Sequence, residues 1–224
     1  MIVAFDLDDT LYPEITYVHS GFRAVATWLH DHAGVDAVEA YATMIESLEQ
    51  HGRGKQFDDV LEHFGLRSSA AVRQAVAVYR GHVPAIELDP AAPGLLTDAG
   101  RRWPLYLVTD GNHRVQARKV EALAVRPYFR HCYLTYRYGR SAEKPSPRVF
   151  ELMAKREKVD TSQLVYVGDN PVKDFVGVRR LGGRTIRVLT GGHADVVARR
   201  GYDADVTVDR LADVGAMLED FDRS

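Results

Sequence analysis

The chain begins with the feature that most restricts its fold: four apolar residues, Ile2-Val3-Ala4-Phe5, run directly into Asp6-Leu7-Asp8-Asp9-Thr10. So short a run, with no helical period, suits a strand buried on both faces, as in a parallel sheet. Carboxylates have no place inside such a strand, so Asp6 and Asp8 fall at its carboxyl end. That is the edge at which open α/β sheets bind ligands. Two like charges this close oppose each other's ionisation unless a cation or strong donors stand between them. A bound Mg²⁺ would serve, but Asp and Thr also favour turns and helix N-caps, and these ten residues alone leave both readings open.

Further apolar runs repeat the pattern. Leu105–Thr109 ends on Thr109-Asp110-Gly111, Leu164–Val167 runs into Gly168-Asp169, and His131–Thr135, Arg184–Leu189 and Val206–Val208 complete a set of short strands. Helical periodicity fills the gaps, over Leu95–Arg102, Val115–Leu123, Pro147–Lys155, Pro171–Leu181 and a closing helix from a cap at Asp209 to about Leu218. Strands separated by helices of this length predict an α/β fold with a doubly wound parallel sheet and right-handed crossovers. The stretch after the first strand differs. Thr16–His32, Ala37–Leu48, Phe57–Phe64 and Ser68–Tyr79 are all helical in pattern and nothing there alternates like a strand. The reading is therefore a core of residues 1–12 and 90–224, with a helical domain of residues 13–89 inserted at the sheet's carboxyl edge, over the site.

Composition narrows the function. A net charge of −2 argues against a nucleic-acid-binding surface. Residues 12–91 hold 11 acidic against 6 basic side chains, which supports two differently composed units. No stretch has the length of a membrane span and no basic segment precedes an apolar leader, so a cytoplasmic chain is expected, with no membrane partner. The single cysteine, Cys132, excludes an internal disulfide and reads as a buried structural thiol.

Four motifs in order carry a family resemblance: Asp6-Leu7-Asp8-Asp9-Thr10, Thr109 at a strand end, Lys144-Pro145 before a helix, and Gly168-Asp169-Asn170-Pro171-Val172-Lys173-Asp174. Together they resemble the haloacid dehalogenase (HAD) superfamily over nearly the whole chain. The resemblance implies a Rossmann-like core with a helical cap between the first and second motifs, and a Mg²⁺-dependent phosphatase. Asp6 would be the nucleophile that forms an aspartyl-phosphate, and Asp8 the acid and then the base. Asp6, the Asp8 backbone carbonyl and Asp169 would hold Mg²⁺, with Asp174 orienting that shell from behind. Thr109, the N–H groups of Asp110 and Gly111, and Lys144 would bind the phosphoryl group.

Two positions depart from the commonest family pattern: Asp9 stands where Gly is frequent, and Asp110 where Asn often follows the Thr. A carboxylate at Asp110 aimed at the phosphate would repel it, so that side chain must face elsewhere. The acid at Asp8 argues against a dehalogenase, because halide departure needs neither a proton nor a metal. Tyr12, Glu14, His19 and Arg23, just past the first motif, are candidate substrate-selecting residues, although His19 and Arg23 equally suit a solvated helix face. The expected partner is a small phosphate ester, either a sugar phosphate or a nucleoside monophosphate. The alternatives are a phosphomutase-like phosphotransferase and a non-catalytic phospho-ligand-binding module on the same fold. Oligomeric state is not legible.

Overall fold

The computed structural model describes residues 1–223 of the 224. It contains six strands, β1 (Ile2–Phe5), β2 (Leu105–Thr109), β3 (His131–Leu134), β4 (Leu164–Gly168), β5 (Arg184–Val188) and β6 (Val206–Val208). All neighbours pair in parallel, in the order β3-β2-β1-β4-β5-β6. The doubly wound sheet expected from the apolar runs is therefore present. Its first strand lies in the middle, with β2 on one side and β4 on the other, so the winding reverses direction at β1. At such a switch point two loops leave the sheet in opposite directions and open a crevice.

The helices are α1 (Glu14–Ala33), α2 (Ala37–His51), α3 (Gln56–His63), α4 (Ser69–Gly81), α5 (Ala92–Arg102), α6 (His113–Ala122), α7 (Arg148–Glu157), α8 (Val176–Arg180) and α9 (Val214–Arg223). None is long and apolar enough to cross a membrane. The chain divides into two compact units, Met1–Glu14 with Ile86 onward, and Ile15–Ala85. These limits lie a few residues inside the expected 13–89. The difference has a local cause: the Asp89 N–H donates to the Leu11 carbonyl at 2.9 Å, which ties both flanks of the insertion to the sheet unit.

In the sheet unit, alternation along the strands sends Ile2, Ala4, Tyr106, Val108, Leu164 and Tyr166 to one face. They pack there on Val149, Phe150 and Met153 of α7 and Val178 of α8. Phe150 meets the Tyr166 ring edge-on, with centroids 5.1 Å apart. A fully buried aromatic of this kind stabilises by roughly 1.5–3 kcal/mol. Val3, Phe5, Leu107, Val165 and Val167 are equally buried on the other face, which accounts for strands that are apolar throughout.

The second unit is wholly helical. Val18, Phe22, Val25 and Leu29 of α1 form a stripe that packs on Met44 of α2, Val60 and Leu61 of α3 and Ala75 of α4. The Asp36 carboxylate caps α2, accepting from Val38 N at 2.8 Å and Glu39 N at 2.9 Å.

Three expectations need correction. The helix expected from Pro171 begins only at Val176, because Asn170 organises residues 170–174 as a turn: its carbonyl accepts from Lys173 N and Asp174 N, and its Oδ1 from Val172 N. The closing helix starts at Val214, after a 3-10 turn at Leu211–Asp213 in which Asp213 N donates to Arg210 O at 3.0 Å. Cys132 is half-buried rather than buried, and its partial enclosure pushes the thiol's pKa up.

Candidate active site

The sheet places the first carboxylate. The Asp6 N–H donates to the Val167 carbonyl at 2.8 Å, extending the β1–β4 ladder by one residue beyond β1. Asp169 follows β4 directly, so Asp6 and Asp169 emerge from adjacent strands at the switch point. Thr109 ends β2 on the other side and is buried. All three lie at the carboxyl edge.

Asp174 joins the first two. One carboxylate oxygen from each of Asp6, Asp169 and Asp174 lies within 4.8 Å of the others, and all three residues are buried. The turn at Asn170 brings Asp174 back to this point, and Asp174 Oδ2 accepts from Asn170 N at 2.9 Å. Gly168 leaves room for it: a Cβ there would sit 2.6 Å from Asp174 Oδ2. Asp174 thus stands in the triad itself rather than behind it. Lys144 is the counter-charge, its side chain fully enclosed. Its Nζ donates at 2.8 Å to Asp6 Oδ1 and to the Tyr166 hydroxyl, which in turn donates to Val108 O at 3.2 Å. The same Nζ is 2.8 Å from Asp174 Oδ1, without the alignment of a hydrogen bond.

Electrostatics follow from that enclosure. Burial pushes the Asp6 carboxyl up to about 7 against the pull of Lys144. Burial, then Asp6 and Asp174, push Asp169 up to about 9. Burial alone would lower the Lys144 ammonium, but Asp174 and Asp6 reverse this and hold it well above the ordinary lysine value. Three carboxylates against one directly bound ammonium leave the cluster short of positive charge. A buried Asp174 Oδ1 with no hydrogen bond, in a set of hard oxygen donors, fits a divalent cation of the Mg²⁺ type.

The Asp8 carboxylate has a separate set of donors. Oδ1 accepts from the Tyr12 hydroxyl at 2.5 Å and from Lys119 Nζ at 2.6 Å, and Oδ2 accepts from Gln116 Nε2 at 2.7 Å. Gln116 Nε2 also donates to Thr109 Oγ1 at 2.5 Å, and Lys119 Nζ lies 3.3 Å from Glu14 Oε1. Burial raises the Asp8 carboxyl, but Lys119, Tyr12 and Gln116 together outweigh it and hold the group below the usual range. Tyr12 and Glu14 therefore act within the sheet unit, on Asp8 and Lys119. The other two candidates lie in the helical unit, where His19 Nδ1 is 2.6 Å from the Tyr41 hydroxyl and the Arg23 guanidinium is 5.3 Å from the Tyr41 ring centre.

Both unusual carboxylates have structural partners. Asp110 Oδ1 accepts from Thr135 Oγ1 at 2.8 Å and from Lys144 N at 3.2 Å, and Oδ2 lies 3.4 Å from Lys173 Nζ. Its side chain is spent on the loop that carries Lys144, and its backbone N–H remains the candidate phosphoryl donor, beside that of Gly111. Asp9 has a positive φ of 53°; its Oδ1 accepts from Glu14 N at 2.8 Å, and its backbone carbonyl accepts from the Thr190 hydroxyl. Sequence reasoning missed Gln116, Lys119, Lys173 and Tyr166. Gln116 and Lys119 had a visible signal: with Val120 and Leu123 they occupy positions i, i+3, i+4 and i+7 of one helix stripe. A lysine on a core-facing stripe is rarely there without a partner.

Comparison with known proteins identifies the family. The family profile described as haloacid dehalogenase-like hydrolase matches residues 1–182. A glyceraldehyde 3-phosphate phosphatase of Methanopyrus kandleri is 29% identical over 218 residues, covering 93% of this chain and 92% of its own. A phosphoserine phosphatase of Thermus thermophilus is 29% identical over 175 residues, 77% of this chain and 66% of its own. Among solved structures, a 2-haloacid dehalogenase from Pseudomonas syringae superposes with a TM-score of 0.65 at 24% identity, over 99% of this chain and 100% of its own. That last likeness speaks to the fold.

Proposed function

From the premise that the chain belongs to the haloacid dehalogenase-like hydrolases, we propose that it is a Mg²⁺-dependent phosphatase of small phosphomonoesters, working through an aspartyl-phosphate on Asp6. The observation that carries the reading is the pairing of two carboxylates with different surroundings. Asp6 lies in the buried acidic triad, held by Lys144 at 2.8 Å, while Asp8, two residues on, lies in a separate set of donors. One carboxylate is set up to bond with phosphorus and the other to handle protons, as the two steps of ester hydrolysis require.

Asp6, Asp169 and Asp174, with the Asp8 backbone carbonyl, would hold Mg²⁺. The ion's contribution when bound is to lower the repulsion between an anionic nucleophile and an anionic phosphate. The protein's own groups do the rest. The Asp6 carboxylate attacks phosphorus in line, and the ester oxygen leaves with a proton from Asp8. A bound phosphate dianion favours the protonated form of Asp8, which otherwise rests ionised. Water then attacks the aspartyl-phosphate as Asp8 takes its proton, and phosphate and free Asp6 result. Lys144 neutralises charge on the transferring group. Thr109 accepts from Gln116, which leaves its own O–H to donate to a phosphoryl oxygen.

The relatives named as phosphatases of glyceraldehyde 3-phosphate and phosphoserine direct the substrate search toward small phosphorylated metabolites, triose phosphates first. The test is phosphate release with Mg²⁺ from glyceraldehyde 3-phosphate, phosphoserine, sugar phosphates and nucleoside monophosphates, repeated on Asp6→Asn. Turnover of at least one ester that vanishes in the folded variant supports the reading. Binding of these esters without phosphate release, in wild type and variant alike, would replace it with a phospho-ligand-binding module.

A further inference from the structure

The helix after the second motif has a role that the four motifs do not assign. Gln116 and Lys119 lie one turn apart on α6, both 2% exposed, and both direct their side-chain nitrogens at Asp8. A carboxylate oxygen has about two in-plane lone pairs. On Asp8 Oδ1 both are taken, by Lys119 Nζ at 2.6 Å and the Tyr12 hydroxyl at 2.5 Å. Oδ2 has one side-chain donor, Gln116 Nε2 at 2.7 Å, and keeps one lone pair open. The two oxygens are therefore not equivalent. We propose that Lys119, Tyr12 and Gln116 are positioning residues that saturate Oδ1 and aim Oδ2, so that Oδ2 alone exchanges the proton with the departing ester oxygen and then with water.

The proposal rests on the reading of Asp8 as acid and base. As the Asp6–phosphorus bond forms and the ester P–O bond breaks, the proton on Oδ2 passes to the ester oxygen. As water oxygen bonds to phosphorus and the Asp6–phosphorus bond breaks, the water's proton passes to Oδ2. Over the cycle one ester and one water become alcohol and phosphate, and Asp6 and Asp8 return to their starting states. The three residues do not contribute equally. Gln116 Nε2 bridges Asp8 Oδ2 and Thr109 Oγ1, so its loss disturbs phosphoryl binding as well as proton delivery. On Asp8, Lys119 and Tyr12 both hold Oδ1, the oxygen that Gln116 does not touch.

Leaving-group dependence separates these roles from a merely structural one. Nitrophenolate departs without a proton, whereas the alkoxide of an alkyl phosphate does not, so kcat/KM is compared for nitrophenyl phosphate and an alkyl ester such as glycerol phosphate. General-acid assistance is worth on the order of 10²–10⁴-fold. Asp8→Asn should lower the alkyl-to-aryl ratio by about that factor. Tyr12→Phe, which leaves no buried charge unpaired, and Lys119→Met should each lower the ratio by roughly tenfold, with KM for the aryl ester near wild type. Lys119→Arg should restore part of it. Gln116→Met should lower the ratio and raise KM for both esters.

If Lys119→Met does not fold, Tyr12→Phe and Gln116→Met decide. Equal losses on the two esters in the folded variants, with Asp8→Asn still selective, overturn the positioning role and leave the Asp8 reading intact. An Asp8→Asn variant with no selectivity removes the reading itself.

Discussion

The raised carboxyls of the triad make Mg²⁺ binding depend on pH in a calculable way. An ordinary Asp titrates near 3.8, whereas Asp6 is pushed to about 7 and Asp169 to about 9 in the metal-free fold. A ligand that needs both groups ionised must displace the protons they carry, and each displaced proton costs a factor of about ten in affinity per pH unit below the group's pKa. Below pH 7 two protons are displaced, so Mg²⁺ affinity should rise roughly a hundredfold per unit. Between 7 and 9 one is displaced, about tenfold per unit, and above 9 the curve should flatten.

From pH 6 to pH 8 the gain is about a thousandfold, worth up to about 4 kcal/mol of stability at fixed, near-saturating Mg²⁺. Linkage gives the complementary sign for the metal-free protein. Carboxyls with raised pKa values contribute stability that is fully present below about 3.8 and is lost as pH rises through about 7 and then about 9. Metal-free protein should therefore weaken toward alkaline pH while Mg²⁺ restores it. Thermal unfolding at pH 6, 7, 8 and 9, with Mg²⁺ or with EDTA, measures both curves. A Mg²⁺ shift that is constant across this range, or larger in acid, would refute the electrostatic account of the triad. Asp169→Asn should remove the rise between pH 7 and 9 and leave a shallower dependence below pH 7, about tenfold per unit, from Asp6 alone.

Lys144→Met should destabilise the metal-free protein by about 3–5 kcal/mol, because it leaves Asp6 and Asp174 buried without their cation; urea unfolding tests this, and an unchanged midpoint would contradict the pairing. Gly168→Ala puts a Cβ 2.6 Å from Asp174 Oδ2, so it should cost about 1–3 kcal/mol and weaken Mg²⁺ binding, with stability regained when Asp174→Ala is added. Gly191→Ala meets both a φ of +62° and the Asp9 side chain, whose Cγ would lie 2.1 Å from the new Cβ. It should lower Tm, and by displacing Asp9 it should speed amide exchange at Glu14, whose N–H the Asp9 carboxylate accepts.

The architecture was legible because it rests on local signals. A run such as Leu164–Val167 can be little other than a buried strand, and Asp6 and Asp169 follow their runs so closely that their common edge is fixed by the pleat and the parallel order. Asp174 was harder to place. Five residues past Asp169 on a continuous helix it would have rotated away, and only the turn held by Asn170 brings it back. The Lys144 loop shows the same limit, since its position depends on Asp110 accepting from Lys144 N and Thr135, contacts spanning 34 and 25 residues. Tyr12 reads in sequence only as a substrate-selecting candidate, because nothing local shows that the Asp8–Tyr12 bridge folds the chain back and buries its ring in the sheet unit. Periodicity describes faces of single elements. It does not reveal which carboxylate a buried lysine such as Lys119 will meet 111 residues away.

The central place of β1 has a consequence for synthesis on the ribosome. The strand made first needs β2 and β4 as flanking partners, and its pairing with β4 joins Ile2 to Leu164 and Phe5 to Val167. Asp6 cannot meet Asp169 or Asp174 until β4 and the turn after it have emerged, so a nascent chain holds its nucleophile idle until then. The helical segment between closes its own core within residues 15–85. Chains interrupted before β4 would thus carry a packed helical segment and no means of attacking an ester.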